Sequence, residues 1–133
     1  MKFNVHGDYN FEFVDDILII RVVGSWNEEA AIQFSDTLKE IVVRLDGKPW
    51  GNVLNMTEWD LSIPEIWNVL GETAIWLMDH NHKFEAVVAT HAIEKHLMNQ
   101  RFESTPNLKK AFFRNEVEAL KWCREQQHYL QGL

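Results

Sequence analysis

From Ile17 onward, short runs of apolar residues alternate with longer stretches whose apolar residues recur every three or four positions. The runs are residues 17–23, 51–57, 84–90 and 109–114, and each leads into a stretch of helical spacing. Parallel strands need crossovers of a dozen or more residues, usually helices, so this alternation predicts a mainly parallel α/β sheet. Ahead of the first run, Tyr9, Phe11 and Phe13 alternate with Asn10 and Glu12, the period of a half-buried strand. A tight turn at Asp15 and Asp16 makes this strand and the next an antiparallel hairpin. The run 17–23 is almost continuously apolar, which predicts an interior strand covered on both faces.

The helical stretches carry their own start and stop signals. Ser25 and Glu28 have capping-box spacing, with Asn27 a competing cap, and Glu28 and Glu29 suit a helix N-terminus. Ala31, Phe34, Leu38, Ile41, Val42 and Leu45 follow as one amphipathic face, which Asp46, Gly47 and Pro49 bring to an end. Ser62 and Glu65 form a second capping-box pattern, with Pro64 tolerated in the first turn. Behind it, Ile66, Leu70, Thr73, Ala74 and Leu77 make an inward face, while Trp67, Val69, Trp76 and Met78 widen the apolar zone well beyond it. A helix apolar around most of its circumference is either covered on two sides or meets a partner; in so small a chain the partner is favoured. A shorter helix follows at 92–102, and Asn115 caps a last one carrying Val117, Leu120 and Cys123.

Composition narrows the class. At 133 residues, 46% apolar and 25% charged, the chain fits one globular domain spanning 1–133. Thirteen basic against twenty acidic side chains leave a charge of −7 with no basic stripe, which argues against nucleic acid. The lone Cys123 excludes an internal disulfide and reads as a small core residue beside Ala119 and Leu120. No segment has the length of a signal peptide core or a membrane span, so a soluble cytoplasmic protein is the default expectation.

The segment 111–124, AFFRNEVEALKWCR, resembles the closing strand and helix of the STAS/SpoIIAA-like group of small bacterial domains. There, an apolar strand, a polar cap and an acidic pair precede Ala-Leu-x-Trp, and the order of elements matches from about Phe11 to Gln127. The apolar pattern gives five strands and four helices in the order β-β-α-β-α-β-α-β-α, an order this group shares. The resemblance implies a regulatory domain that works by binding another protein. In the best understood members a Ser at the start of the second helix, in an Asp-Ser-Ser-Gly-like loop, is phosphorylated and changes the partner. Here residues 55–65 read NMTEWDLSIPE, so that motif is absent and Ser62, then Thr57, are the closest hydroxyls.

Candidate chemistry is sparse. Ligands in open α/β sheets sit beyond the carboxyl ends of the strands. There Trp26, Asn55, Thr57, Thr90, His91 and Arg114 could line a pocket for a small apolar or anionic ligand. His80 and His82, and His91 and His96, lack the spacing of a zinc set and read as solvated loop and helix-end residues. Glu65, Glu72 and Asp79 fall at seven-residue steps and read as solvating positions rather than acid–base pairs. No glycine-rich phosphate loop follows any strand, so neither metal nor nucleotide cofactor is expected. The sequence therefore points to a non-enzymatic interaction domain that self-associates, a dimer being favoured, through Trp59, Ser62, Trp67, Trp76 and Met78. A small-molecule or lipid-binding module using the strand-end pocket is the alternative.

Overall fold

The computed structural model of the protein describes residues 7–60 and 64–132. Asp15 and Asp16 both take left-handed backbone angles, φ 52° and 66°, forming the two-residue turn whose twist matches that of the strands it joins. Those strands are β1 (Asp8–Val14) and β2 (Ile17–Ser25), antiparallel, with Val14 opposite Ile17 and Phe11 opposite Ile20. The chain continues through α1 (Glu28–Val43), β3 (Trp50–Asp60), α2 (Glu65–Met78), β4 (His82–Val88), α3 (Ala92–Phe102), β5 (Lys109–Phe113) and α4 (Glu116–Gln131). The described residues thus form an α/β fold with a five-stranded sheet of order β1-β2-β3-β4-β5, parallel from β2 onward. Class and element order are those the apolar pattern predicts.

A right-handed crossover repeated in one direction places every crossover helix on the same face of the sheet. Accordingly α1, α2 and α3 share one face, where Phe34, Leu38, Ile66, Leu77, Met98 and Phe102 cover Leu18, Ile20, Val22, Leu54 and Val87. After β5 the chain has no further strand to reach, and α4 lies over the opposite face, with Ala119 and Cys123 against Ile17, Ile19, Val53, Phe84 and Val88. Covering both faces explains why β2 reads as continuously apolar. Each large side chain fully buried in these layers contributes about 2 kcal/mol. Packing is close between β3 and β4, where a Cβ on Gly51 would run into the Phe84 ring.

Three details differ from the sequence reading. The cap of α1 is Asn27, whose Oδ1 accepts from Ala30 N at 2.9 Å, while Ser25 ends β2. β3 runs on to Asp60 because β2, after an irregularity between Arg21 and Val23, keeps pairing: Gly24 stands opposite Trp59 and Ser25 opposite Asp60. β4 begins at His82, two residues early, so that His82 is a strand residue. Asn115 caps α4 as expected, accepting from Glu118 N at 2.9 Å. The cap expected at Ser62 lies outside the described residues.

Candidate functional site

On the α1–α3 face β3 presents Asn52 and β4 presents Glu85, and the register irregularity between Trp50 and Gly51 lets His82, three residues before Glu85, join them; all three are polar and less than a tenth exposed. The fourth member of the cluster, Arg101, comes from the last turn of α3. Arg101 Nη2 donates to Glu85 Oε1 at 2.9 Å, and Asn52 Nδ2 reaches Glu85 Oε2 at 3.3 Å. Asn52 Oδ1 lies 2.6 Å from His82 Nε2. A carboxylate only accepts, so the Asn52 amide must turn its NH2 to Glu85 and its oxygen to His82. His82 therefore donates from Nε2. Burial, with the Arg101 charge as a second cause, holds its pKa down to about 3, so the ring is neutral at ordinary pH. Trp50 stacks on it, with ring centres 4.3 Å apart.

The cluster forms one wall of a cavity of about 60 Å³ between the sheet and α2. The rest of the lining is apolar and includes Ile20, Leu38, Leu54, Trp59, Leu70, Ala74 and Met98. Trp67 and Arg101 border both this cavity and an open groove of about 400 Å³ between α2 and α3, whose rim includes Gly71, Leu97 and Ser104. Among the described residues, Trp59 Nε1 and Arg101 Nη1 are buried without a hydrogen-bond partner. Buried donors are rarely left so. Both belong to residues that line the cavity.

A second polar network stands on the α4 face. Glu116, in the first turn of α4, accepts from Arg21 Nε at 2.8 Å, Arg21 Nη2 at 2.9 Å and Asn55 Nδ2 at 2.7 Å. Arg21 also reaches Glu12 Oε1 at 2.9 Å and Asn10 Oδ1 at 3.0 Å. The Arg21 guanidinium holds the Glu116 carboxyl below its usual range, and Glu116 in turn raises Arg21. This network ties the hairpin, β3 and α4 together. Cys123, two turns further along α4, is fully buried, and burial pushes its thiol up to about 12. With its pKa held at about 3 His82 is a weak base, and Cys123, un-ionised near pH 7, is not poised as a nucleophile.

The residues expected at a strand-end pocket are mostly engaged with one another or with backbone. Trp26 is buried, its Nε1 donating to Val23 O at 3.0 Å. Asn55 Oδ1 accepts from Thr57 N and Thr57 Oγ1 while its amide holds Glu116. Thr90 and His91 are exposed, and both backbone N–H groups donate to buried Glu94. Arg114 is exposed at the end of β5. Of the residues expected to face a partner, Trp59 lies on β3, buried against Trp26 and Trp67 rather than in a loop. Trp67, Trp76 and Met78 are half-buried on α2, and Trp76 stacks on His80 with ring centres 3.6 Å apart. Ser62 lies outside the described residues.

The histidines need correcting. His82 is buried and His80 half-buried, whereas both read from sequence as solvated; His91 and His96 are exposed. Among the described residues no three His, Cys, Asp or Glu side chains come together as a metal set, and no helix there is long and apolar enough to cross a membrane. Sequence reasoning missed Asn52, Glu85 and Arg101. The one legible signal was Glu85, a carboxylate inside the apolar run 84–90.

Comparison with solved structures places this fold. The chain is similar to a DUF3478-family protein with a SpoIIAA-like fold from Shewanella loihica PV-4, with TM-score 0.69 and 19% identity over 92% of this chain and 98% of that one. It is also similar to an anti-sigma factor antagonist from Mycobacterium paratuberculosis, with TM-score 0.63 and 17% identity over 89% and 94% of the two chains. The Bacillus cell fate determinant SpoIIAA, in its phosphorylated form, gives TM-score 0.59 and 14% identity over 86% and 97%. No family model matches the sequence, nor does any curated protein. The chain has the SpoIIAA-like fold.

Proposed function

We propose that the chain is a non-enzymatic, regulatory protein-interaction domain that pairs with a second copy of itself through the outer side of α2. The observation that carries this reading is the apolar girdle of that helix. Ile66, Ala74 and Leu77 face the core, yet Trp67, Val69, Trp76 and Met78 are covered in part and Ile75 is 51% exposed. One helix face is enough for one core, so the rest is apolar surface left for another molecule. A symmetric pair, in which the same patch serves both copies, is the commonest closed assembly. The likeness to an anti-sigma factor antagonist, a protein whose name describes action in a protein circuit, supports the regulatory reading.

Sedimentation at micromolar concentration tests it. Wild type should run as a dimer and Ile75→Glu as a folded monomer. Wild type that stays monomeric at the highest attainable concentration contradicts the reading.

A further inference from the structure

We propose that the cavity beneath α2, entered through the groove between α2 and α3, binds an uncharged apolar molecule carrying a hydrogen-bond acceptor, such as a ketone or ester. Two unpartnered donors on residues that line an apolar cavity carry the inference. Arg101 Nη1 and Trp59 Nε1 are both buried without partners among the described residues, and the side chains that bear them are about nine-tenths covered. The other polar side chains of the cavity wall already bond one another: Glu85 to Arg101 and Asn52, and Asn52 to His82. What the wall lacks is an acceptor. An apolar lining disfavours water and suits hydrocarbon, so the missing acceptor is best carried on an apolar body.

Charge decides between a neutral acceptor and an anion. The Arg101 guanidinium is balanced by the Glu85 carboxylate at 2.9 Å, and His82 is neutral. The cluster is already neutral as a unit, and the whole chain carries −7. A carboxylate ligand would add an uncompensated buried negative charge beside Glu85, whereas a carbonyl would accept from Nη1 without that cost. This departs from the anionic ligand envisaged at the strand ends, in both place and chemistry.

The groove has a feature that fits entry. Gly71 stands in the interior of α2, where glycine weakens a helix, and a Cβ added there meets nothing within 4 Å. Neither a close helix contact nor a turn accounts for it. Its missing side chain leaves the groove open between Trp67 and Arg101, the two residues that border both groove and cavity.

The test is titration of the intact protein with 2-octanone, octanoate and octane, read by calorimetry and by the change in tryptophan fluorescence. The ketone should bind at least tenfold more tightly than octanoate and tenfold more tightly than octane. Trp59→Phe keeps an aromatic ring and removes the donor, and should narrow the ketone-to-octane ratio severalfold. Gly71→Leu, built into open space, should fold normally and lose ketone binding. No saturable change with 2-octanone overturns the proposal, as does octanoate or octane binding as tightly as the ketone, or ketone binding unaffected by Gly71→Leu. A monomeric protein would overturn the pairing through α2 and leave these outcomes unchanged.

Discussion

His82 shows how far a single side chain's behaviour is set by its neighbours. In the unfolded chain its pKa takes the ordinary value of 6.5, but in the fold burial and Arg101 hold it at about 3. Below pH 6.5 the unfolded chain therefore takes up a proton that the folded one refuses. The stability tied to His82 is fully present above pH 6.5 and drains away as pH falls towards 3, by about 1.4 kcal/mol per pH unit. His82→Gln keeps an N–H near the place of Nε2 and cannot titrate. Urea unfolding between pH 6.5 and 4.5 should show a shallower pH slope for the variant, by about one proton. Equal slopes would mean that His82 titrates normally in the fold. From sequence this residue looked like a solvated loop histidine beside His80 and Asn81. Its burial follows from β4 starting two residues early, a boundary that no local signal marks.

At the scale of elements, helix α2 joins two demands that conflict. It needs interior packing, supplied by Ile66, Ala74 and Leu77, yet it carries a glycine in its second helical turn. If Gly71 serves no packing purpose, Gly71→Ala should raise stability by about 0.5–1 kcal/mol through helix propensity and reduced freedom of the unfolded chain. Chemical denaturation checks this, and a loss of stability would show a packing constraint around position 71. Elements as such were legible: Asp15 and Asp16 mark the hairpin, Asn115 the start of α4, and the spacing from Ala31 to Val42 the buried face of α1. The site was not. Asn52, His82, Glu85 and Arg101 come from three elements, and only the register of β3 against β4, with Asn52 opposite Glu85, brings them together. Periodicity assigns each residue to an element and face, but it cannot say which polar residues of separate elements will share one buried space.

For the whole molecule, the order of strands decides what the helices can do. Stepping β2 to β5 in one direction places α1, α2 and α3 side by side on one face, and leaves α4 to close the other. The middle helix, α2, then has its inner side over the cavity and its outer side, with Ile75, turned away from the core. Trp59, Trp67 and Trp76, which suggested a partner surface in sequence, divide between these sides: Trp59 is buried and Trp67 borders the cavity, while Trp76 packs on His80. Pairing of two copies through the outer side of α2 is the central claim. Its most direct test is dipolar spectroscopy on a nitroxide attached at Glu72→Cys, an exposed position on α2. The native thiol does not interfere, since Cys123 is fully buried and its pKa is about 12. A strong coupling between copies at micromolar concentration, abolished by Ile75→Glu, is the expected result. No coupling between copies, or coupling that survives Ile75→Glu, would contradict it.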